Sequence, residues 1–255
     1  MDWASRKKLT FLAALAVIVI GGALLLIFPL LNRPATCSDK KKNGQEAGVD
    51  CGGACQYLCQ EQVVPLELVW TRALLSGPKR VNLVAYLRNE NKTAGVQKAS
   101  YKFTVYDNKG DIVVIKEGTT DVAANGNIAI FSGPVDVGER KVQSTTFEWT
   151  SPLYFSTLSE KSLTSKIETV DTKLDKTEAT THLYATLRNT TRLEYRAVPV
   201  VVILYNKEDN AVLVSRTVLD RLLPEEKTDI SFSWNLVLEE DIAKIEVLPY
   251  FGQFN

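Results

Sequence analysis

Cys37, Cys51, Cys55 and Cys59 are the only thiols in this chain of 255 residues, and they follow one another as C-x13-C-x3-C-x3-C. Thiols gathered in this way either crosslink in an oxidising compartment or hold a metal as thiolates. The spacing lacks the paired C-x2-C knuckles of zinc sites, and the segment is too short to bury a core of its own, so crosslinks are the expected role. Four cysteines allow three pairings, and sequence does not choose among them. Asp39, Asn43, Glu46 and Asp50 lie on the Gly-containing loop between the cysteines. Oxygen ligands on such a loop are the chemistry of calcium, but their spacing is not that of an EF-hand, and the same residue types supply Asx-turns. The expectation is four disulfide cysteines, no resident cofactor, and calcium only as an alternative on those four residues.

Other reactive side chains do not assemble into a catalytic pattern. The single histidine, His182, sits at an alternate position of a strand whose neighbours Leu183 and Leu187 face a core, far in sequence from any cysteine. No G-x-S-x-G elbow, P-loop or G-x-G-x-x-G fingerprint is present, which argues against a triad hydrolase and against nucleotide binding. The carboxylate pairs Glu225-Glu226 and Glu239-Glu240 precede strands and read as solvated turn charges rather than a glycosidase pair. Asn91-Lys-Thr93 and Asn189-Thr-Thr191 fit the N-glycosylation pattern, which has meaning only in a host with the transferase. Lysine plus arginine equals aspartate plus glutamate at 30 each, so no basic excess is available for nucleic acid. The chain is expected not to be an enzyme.

These residues must be positioned by three kinds of element. Leu9 to Leu31 is an uncharged and almost wholly apolar run, Thr10 excepted, and as a helix it would span about 34 Å, enough for a lipid bilayer. It is too long for the apolar core of a cleaved signal, and Arg33 and Pro34 occupy the place of small cleavage-site residues. Basic residues flank both ends, so orientation is taken from the cysteines, which belong outside the cytoplasm. The expected order is a cytoplasmic tail at 1–8, a transmembrane helix at 9–31, a cysteine-rich module at 37–60, and two β-sandwiches at 63–155 and 167–255. A polar linker at 156–166 would separate them, with the boundary near Ser159.

The sandwiches are expected from a repeat. A shift of about one hundred residues lays Val81-Asn-Leu-Val-Ala-Tyr-Leu-Arg-Asn89 on Thr181-His-Leu-Tyr-Ala-Thr-Leu-Arg-Asn189, sharing L-x-A-x-L-R-N. Alternation places Val81, Leu83, Ala85 and Leu87 in a core and Asn82, Val84, Tyr86 and Arg88 on the other face. Asp107 to Gly110 turns the chain into Ile112 to Ile115, and further strands are expected at 127–131, 145–149, 228–234 and 243–248. Short strands in units of about one hundred residues predict a mainly β protein of two tandem immunoglobulin-like sandwiches behind one helix.

Two resemblances add to this. Cys37-Ser-Asp-Lys-Lys-Lys-Asn43-Gly44-Gln-Glu46-Ala-Gly48-Val-Asp50-Cys51-Gly52-Gly53-Ala-Cys55 resembles a C-x-D-x-x-x-N-G-x-E-x-G-x-D-C-G-G-x-C module of secreted and surface-attached proteins, except that Cys59 follows after three residues rather than two. Phe103-Thr-Val-Tyr-Asp107 is similar to the FxLYD family of bacterial surface sandwiches, and the second copy keeps Leu204 and Tyr205. The resemblances imply an extracytoplasmic structural protein without an active site. Tyr106 and Tyr205, the tyrosines the two copies share, are read as packing residues whose hydroxyls find a backbone partner. The expected function is a membrane-anchored surface or envelope protein that binds a protein partner. An accessory subunit or sensor of a membrane machine is the alternative, although only about eight residues precede the helix, too few for a signalling domain.

Overall fold

The computed structural model describes residues 3–31, 36–158 and 167–249. The chain divides into two compact units, Met1–Cys55 and Gln56–Asn255.

The first unit holds helix α1 (Trp3–Leu31) and the disulfide-bonded loop that follows. Leu, Ala, Val and Ile fill α1 without a polar stripe, so nothing but length limits it, and it starts inside the expected tail at 1–8. Among the described residues no helix is long and apolar enough to cross a membrane.

The second unit is mainly β. Its first half carries β1 (Glu67–Gly77), β2 (Arg80–Asn89), β3 (Ala94–Asp107), β4 (Ile112–Val122), β5 (Gly126–Asp136), β6 (Val142–Trp149) and β7 (Phe155–Thr157). The second half carries β8 (Ile167–Lys176), β9 (Thr181–Asn189), β10 (Tyr195–Tyr205), β11 (Ala211–Leu222), β12 (Lys227–Trp234) and β13 (Lys244–Pro249). All pairings are antiparallel: β1-β2-β5 faces β4-β3-β6, with β7 added along β3, and β8-β9-β12 faces β11-β10-β13.

The repeat therefore extends to topology, and it extends to backbone irregularities as well. A bulge interrupts β1 between Leu68 and Trp70 and β8 between Thr169 and Asp171, each opposite the same point of its neighbour. Lys98 in β3 and Ala197 in β10 both hold φ near +50° (49° and 48°), and Asn125 and Glu225 both turn with positive φ before β5 and β12. The turn after β3 is closed by Asp107 Oδ1, which accepts the N–H groups of Lys109 and Asp111, and Asn206 Oδ1 does the same for Glu208 and Asn210. Such Asx-turns explain why Asp or Asn follows the tyrosine in both copies.

The alternation holds where it was strongest. Leu83, Ala85 and Leu87 of β2 and Leu183, Ala185 and Leu187 of β9 are buried, as are Phe103 and Val105 of β3. Strands β1 and β8 escaped the sequence reading because the bulge breaks their alternation, and β8 is polar along most of its length (IETVDTKLDK). Ser156 and Thr157, assigned to the linker by composition, lie in β7, whose three residues pair with Ala94–Val96. The stretch 159–166, with the expected boundary, and residues 250–255 lie outside the described residues.

The other face of β2, which alternation set apart from the core, is covered as well: Asn82, Val84 and Tyr86 are buried. They pack with Val201, Ile203, Tyr205, Ala211 and Val214 of the second sandwich, flanked by Trp70, Phe131 and Leu248. The β1-β2-β5 sheet thus lies on the β11-β10-β13 sheet, and a third apolar layer joins the two sandwiches. The signal was present in β10, whose run AVPVVVILY is apolar at consecutive positions and not alternate ones, as a strand buried on both faces must be.

Candidate functional site

In the first unit, the loop from Thr36 to Cys55 is shaped by residues that accept backbone N–H groups. Cys37 is bonded to Cys55, Cys51 and Cys59 are disulfide-bonded too, and no described cysteine is free. All four sulfurs are therefore committed to crosslinks, and no thiolate is left for zinc. Gly53 has φ +61°, and a Cβ there would run into the backbone of Gln45, which accounts for the second glycine after Cys51.

The carboxylates of Asp39, Glu46 and Asp50 are engaged within this loop, while the buried Oδ1 of Asn43 has no partner among the described residues. Asp50 accepts the N–H of Lys40 through both carboxylate oxygens (3.1 and 2.9 Å), and Asp39 accepts from Lys41 N–H and from Asn43 Nδ2 (2.9 and 2.7 Å). The bond from Asn43 holds the Asp39 carboxyl below its ordinary pKa. Glu46 Oε2 takes the N–H groups of Asn43 and Asp50 at 3.3 Å each. The described cluster of potential ligands here is Cys37, Glu46 and Cys55, two of which are joined by their disulfide, so the three carboxylates do not converge on one point. These residues act on the loop as Asx-turns and caps do.

In the second unit, a group of polar and aromatic side chains joins the two sandwiches at the layer between them. Glu246 on β13 accepts the Tyr86 hydroxyl on Oε1 at 2.6 Å and the Tyr205 hydroxyl on Oε2 at 2.9 Å. The indole of Trp70 stacks on Tyr86 at 5.1 Å and 2° and meets Tyr205 edge-on at 6.5 Å. Arg72 crosses the layer to donate to Asn210 Oδ1 at 3.0 Å and to the carbonyl of Ala211 at 3.3 Å. Asn82 Nδ2 and Trp234 Nε1 both donate to the carbonyl of Val214, at 2.8 and 2.9 Å. The shared Tyr205 thus gives its hydroxyl to a carboxylate, not to backbone as the repeat suggested. A buried phenol takes the strongest acceptor within reach, and Glu246 stands across the strand pair next to it.

Burial first, and then the Glu246 carboxylate, push both phenols well above the usual tyrosine pKa. Both hydroxyls thus donate to the two oxygens of one carboxylate. The arrangement clamps two sheets together. Two open grooves of about 360 and 480 Å³ flank the clamped layer and share Phe131 and Arg216, the first holding Lys98 and Asp121 and the second Arg80 and Trp234.

The remaining sequence candidates lie apart from these sites. His182 Nε2 pairs with the Thr180 hydroxyl at 2.9 Å. Glu226 caps the N–H of Leu223, and Glu240 accepts from Asn206, which are turn roles. Asn91 and Asn189 are buried: Asn91 exchanges two bonds of 2.7 Å with the backbone of Val64, and Asn189 is fully enclosed. Neither offers its amide nitrogen to a glycosyl donor in the folded chain. Sequence reasoning missed Trp70, Arg72, Asn82 and Glu246, and the doubly apolar β10 was the clue that its outer face needed a cover.

No family model matches the chain, and no curated protein does. Among solved structures, red sea bream transglutaminase overlaps 74% of this chain at 11% identity with a TM-score of 0.23. The chain spans 32% of that structure's length, and so loose an overlap carries no argument about fold or activity.

Proposed function

We propose that this is a non-enzymatic, single-pass membrane protein whose N-terminus is cytoplasmic and whose disulfide module and immunoglobulin-like sandwiches stand outside, where they serve a structural or protein-binding role. The observation that carries the reading is the oxidation of every described cysteine, a state that persists in secreted and envelope compartments and is rare in a reducing cytosol. The anchor rests on the apolar run Leu9 to Leu31 taken whole, together with the exposure of side chains such as Ile18 and Leu25, at 71% and 78%. The immunoglobulin-like description is supported by the facing of β1-β2-β5 on β4-β3-β6 in the first copy and of β8-β9-β12 on β11-β10-β13 in the second. Resemblance to FxLYD sandwiches belongs to the same proposal. It is supported by the roles of its residues, since Phe103 and Val105 fill the core and Asp107 closes the turn.

Intact cells treated with a membrane-impermeant thiol reagent test this directly, with Cys37, Cys51, Cys55 and Cys59 read by mass spectrometry. The expected result is labelling only after mild reduction. Thiols that react after lysis without any reductant would place the module in the cytoplasm and overturn the reading.

A further inference from the structure

The layer between the sandwiches has two sides, and each sandwich of the pair uses only one of its own. The first contributes the outer face of β1-β2-β5 and the second the outer face of β11-β10-β13. Because the two halves share strand order and bulges, the unused counterparts can be named. They are the outer face of β8-β9-β12 on the second sandwich and the outer face of β4-β3-β6 on the first. Register sets the correspondence: Arg72 opposite Val84 becomes Lys173 opposite Tyr184, and Thr104 opposite Ile115 answers Ile203 opposite Val214.

The geometry points to these two faces as complementary, so that the outer β8-β9-β12 face of one copy docks on the outer β4-β3-β6 face of a second copy, by the step that already stacks the sandwiches within the chain. Three observations favour a second copy as the occupant. Arg72 reaches Asn210 in the existing layer, and the corresponding pair is Lys173 with Asp111, which are oppositely charged, exposed and without an ion pair among the described residues. Val84 packs in the layer with Val214, and the corresponding pair is Tyr184 with Ile115, large apolar side chains left 48% and 46% exposed. Asn82 donates to the carbonyl of Val214, and His182, which takes its place, keeps a ring nitrogen that can donate to the carbonyl of Ile115.

The contact is more polar than the internal one. Lys102 and Glu148, an ion pair at 2.7 Å, stand where Val201 and Leu248 stand in the second sandwich. Association is therefore weak and salt-sensitive and is favoured where copies are concentrated. It is also heterologous: each copy keeps one free face of each kind, so assembly runs head to tail and does not stop at a dimer unless the rotation closes a ring.

This names a partner for the binding role proposed above, and it fails separately from it. The full chain, held in mild detergent, is followed by sedimentation velocity at low and high salt at concentrations up to about 1 mM. The expected result is a weight-average sedimentation coefficient that climbs with concentration and falls back in high salt. D111K and K173D are each expected to weaken association about tenfold, because each sets like charges face to face. Mixing the two variants is expected to restore it, since lysine at 111 of one meets aspartate at 173 of the other. A single slow species at every concentration in low salt overturns the inference, and so does association that neither variant weakens or that mixing does not restore. If thiol labelling still places the module outside the cell, those outcomes remove the self-docking and leave the extracytoplasmic reading standing.

Discussion

Glu246 does at the scale of one residue what a whole surface does elsewhere: it ties two tyrosines from different sandwiches to a single carboxylate. The pH dependence follows from the phenols. Their pKa values are raised in the folded state, so their contribution to stability is complete below the unfolded tyrosine value of about 10 and is lost as pH rises beyond it toward the folded values. Urea titrations of the full chain should therefore show a fall in unfolding free energy above about pH 10. The Tyr86→Phe, Tyr205→Phe double variant should flatten that fall, and an unchanged pH slope in the double variant would show that other groups set it.

At the scale of elements, the shared Asn of L-x-A-x-L-R-N proves to be a strut between two loops. Asn89 Nδ2 donates to the carbonyls of Ala94 and Ala123, and its Oδ1 accepts from Asn91. Asn189 repeats this with Leu193, Leu223 and Thr191. Asn89→Ala or Asn189→Ala leaves buried carbonyls unpaired and should cost about 3 kcal/mol in chemical unfolding, and Asp should not rescue either site because it cannot donate. The motif was legible as a repeat, since periodicity and identity are properties of the string. Its purpose was not, because the accepting carbonyls lie in loops that share no pattern with it. The same limit hid the layer between the sandwiches: Val84 and Tyr86 obey the alternation of a solvent-facing row, and what covers them is set by a strand more than one hundred residues away. The cysteine module was legible in composition and silent on pairing, which depends on how Gly53 and the turn at Gly44 fold the loop back.

At the scale of the whole second unit, the buried layer should make the two sandwiches unfold as one cooperative body. Ile203 is fully buried in that layer, while Thr104, also buried, holds the corresponding place in the first sandwich. Ile203→Thr should cost about 2 kcal/mol, and calorimetry of the parent chain should give one transition for both sandwiches. Two resolved transitions would show that the layer does not couple them. The near-identity of β2 and β9 carries a further consequence for biogenesis. Each central strand is an acceptable tenant of the other's sheet, because the inward-facing leucines and alanine are the same, so exchange between repeats or between nascent chains satisfies both cores. What rejects the wrong tenant is the opposite row: Tyr184 and Thr186 in place of Val84 and Tyr86 would leave Glu246 without one of its two phenols and Val214 without its neighbour. The contact between the sandwiches thus distinguishes two central strands that the cores alone, lined by the same leucines and alanine, do not.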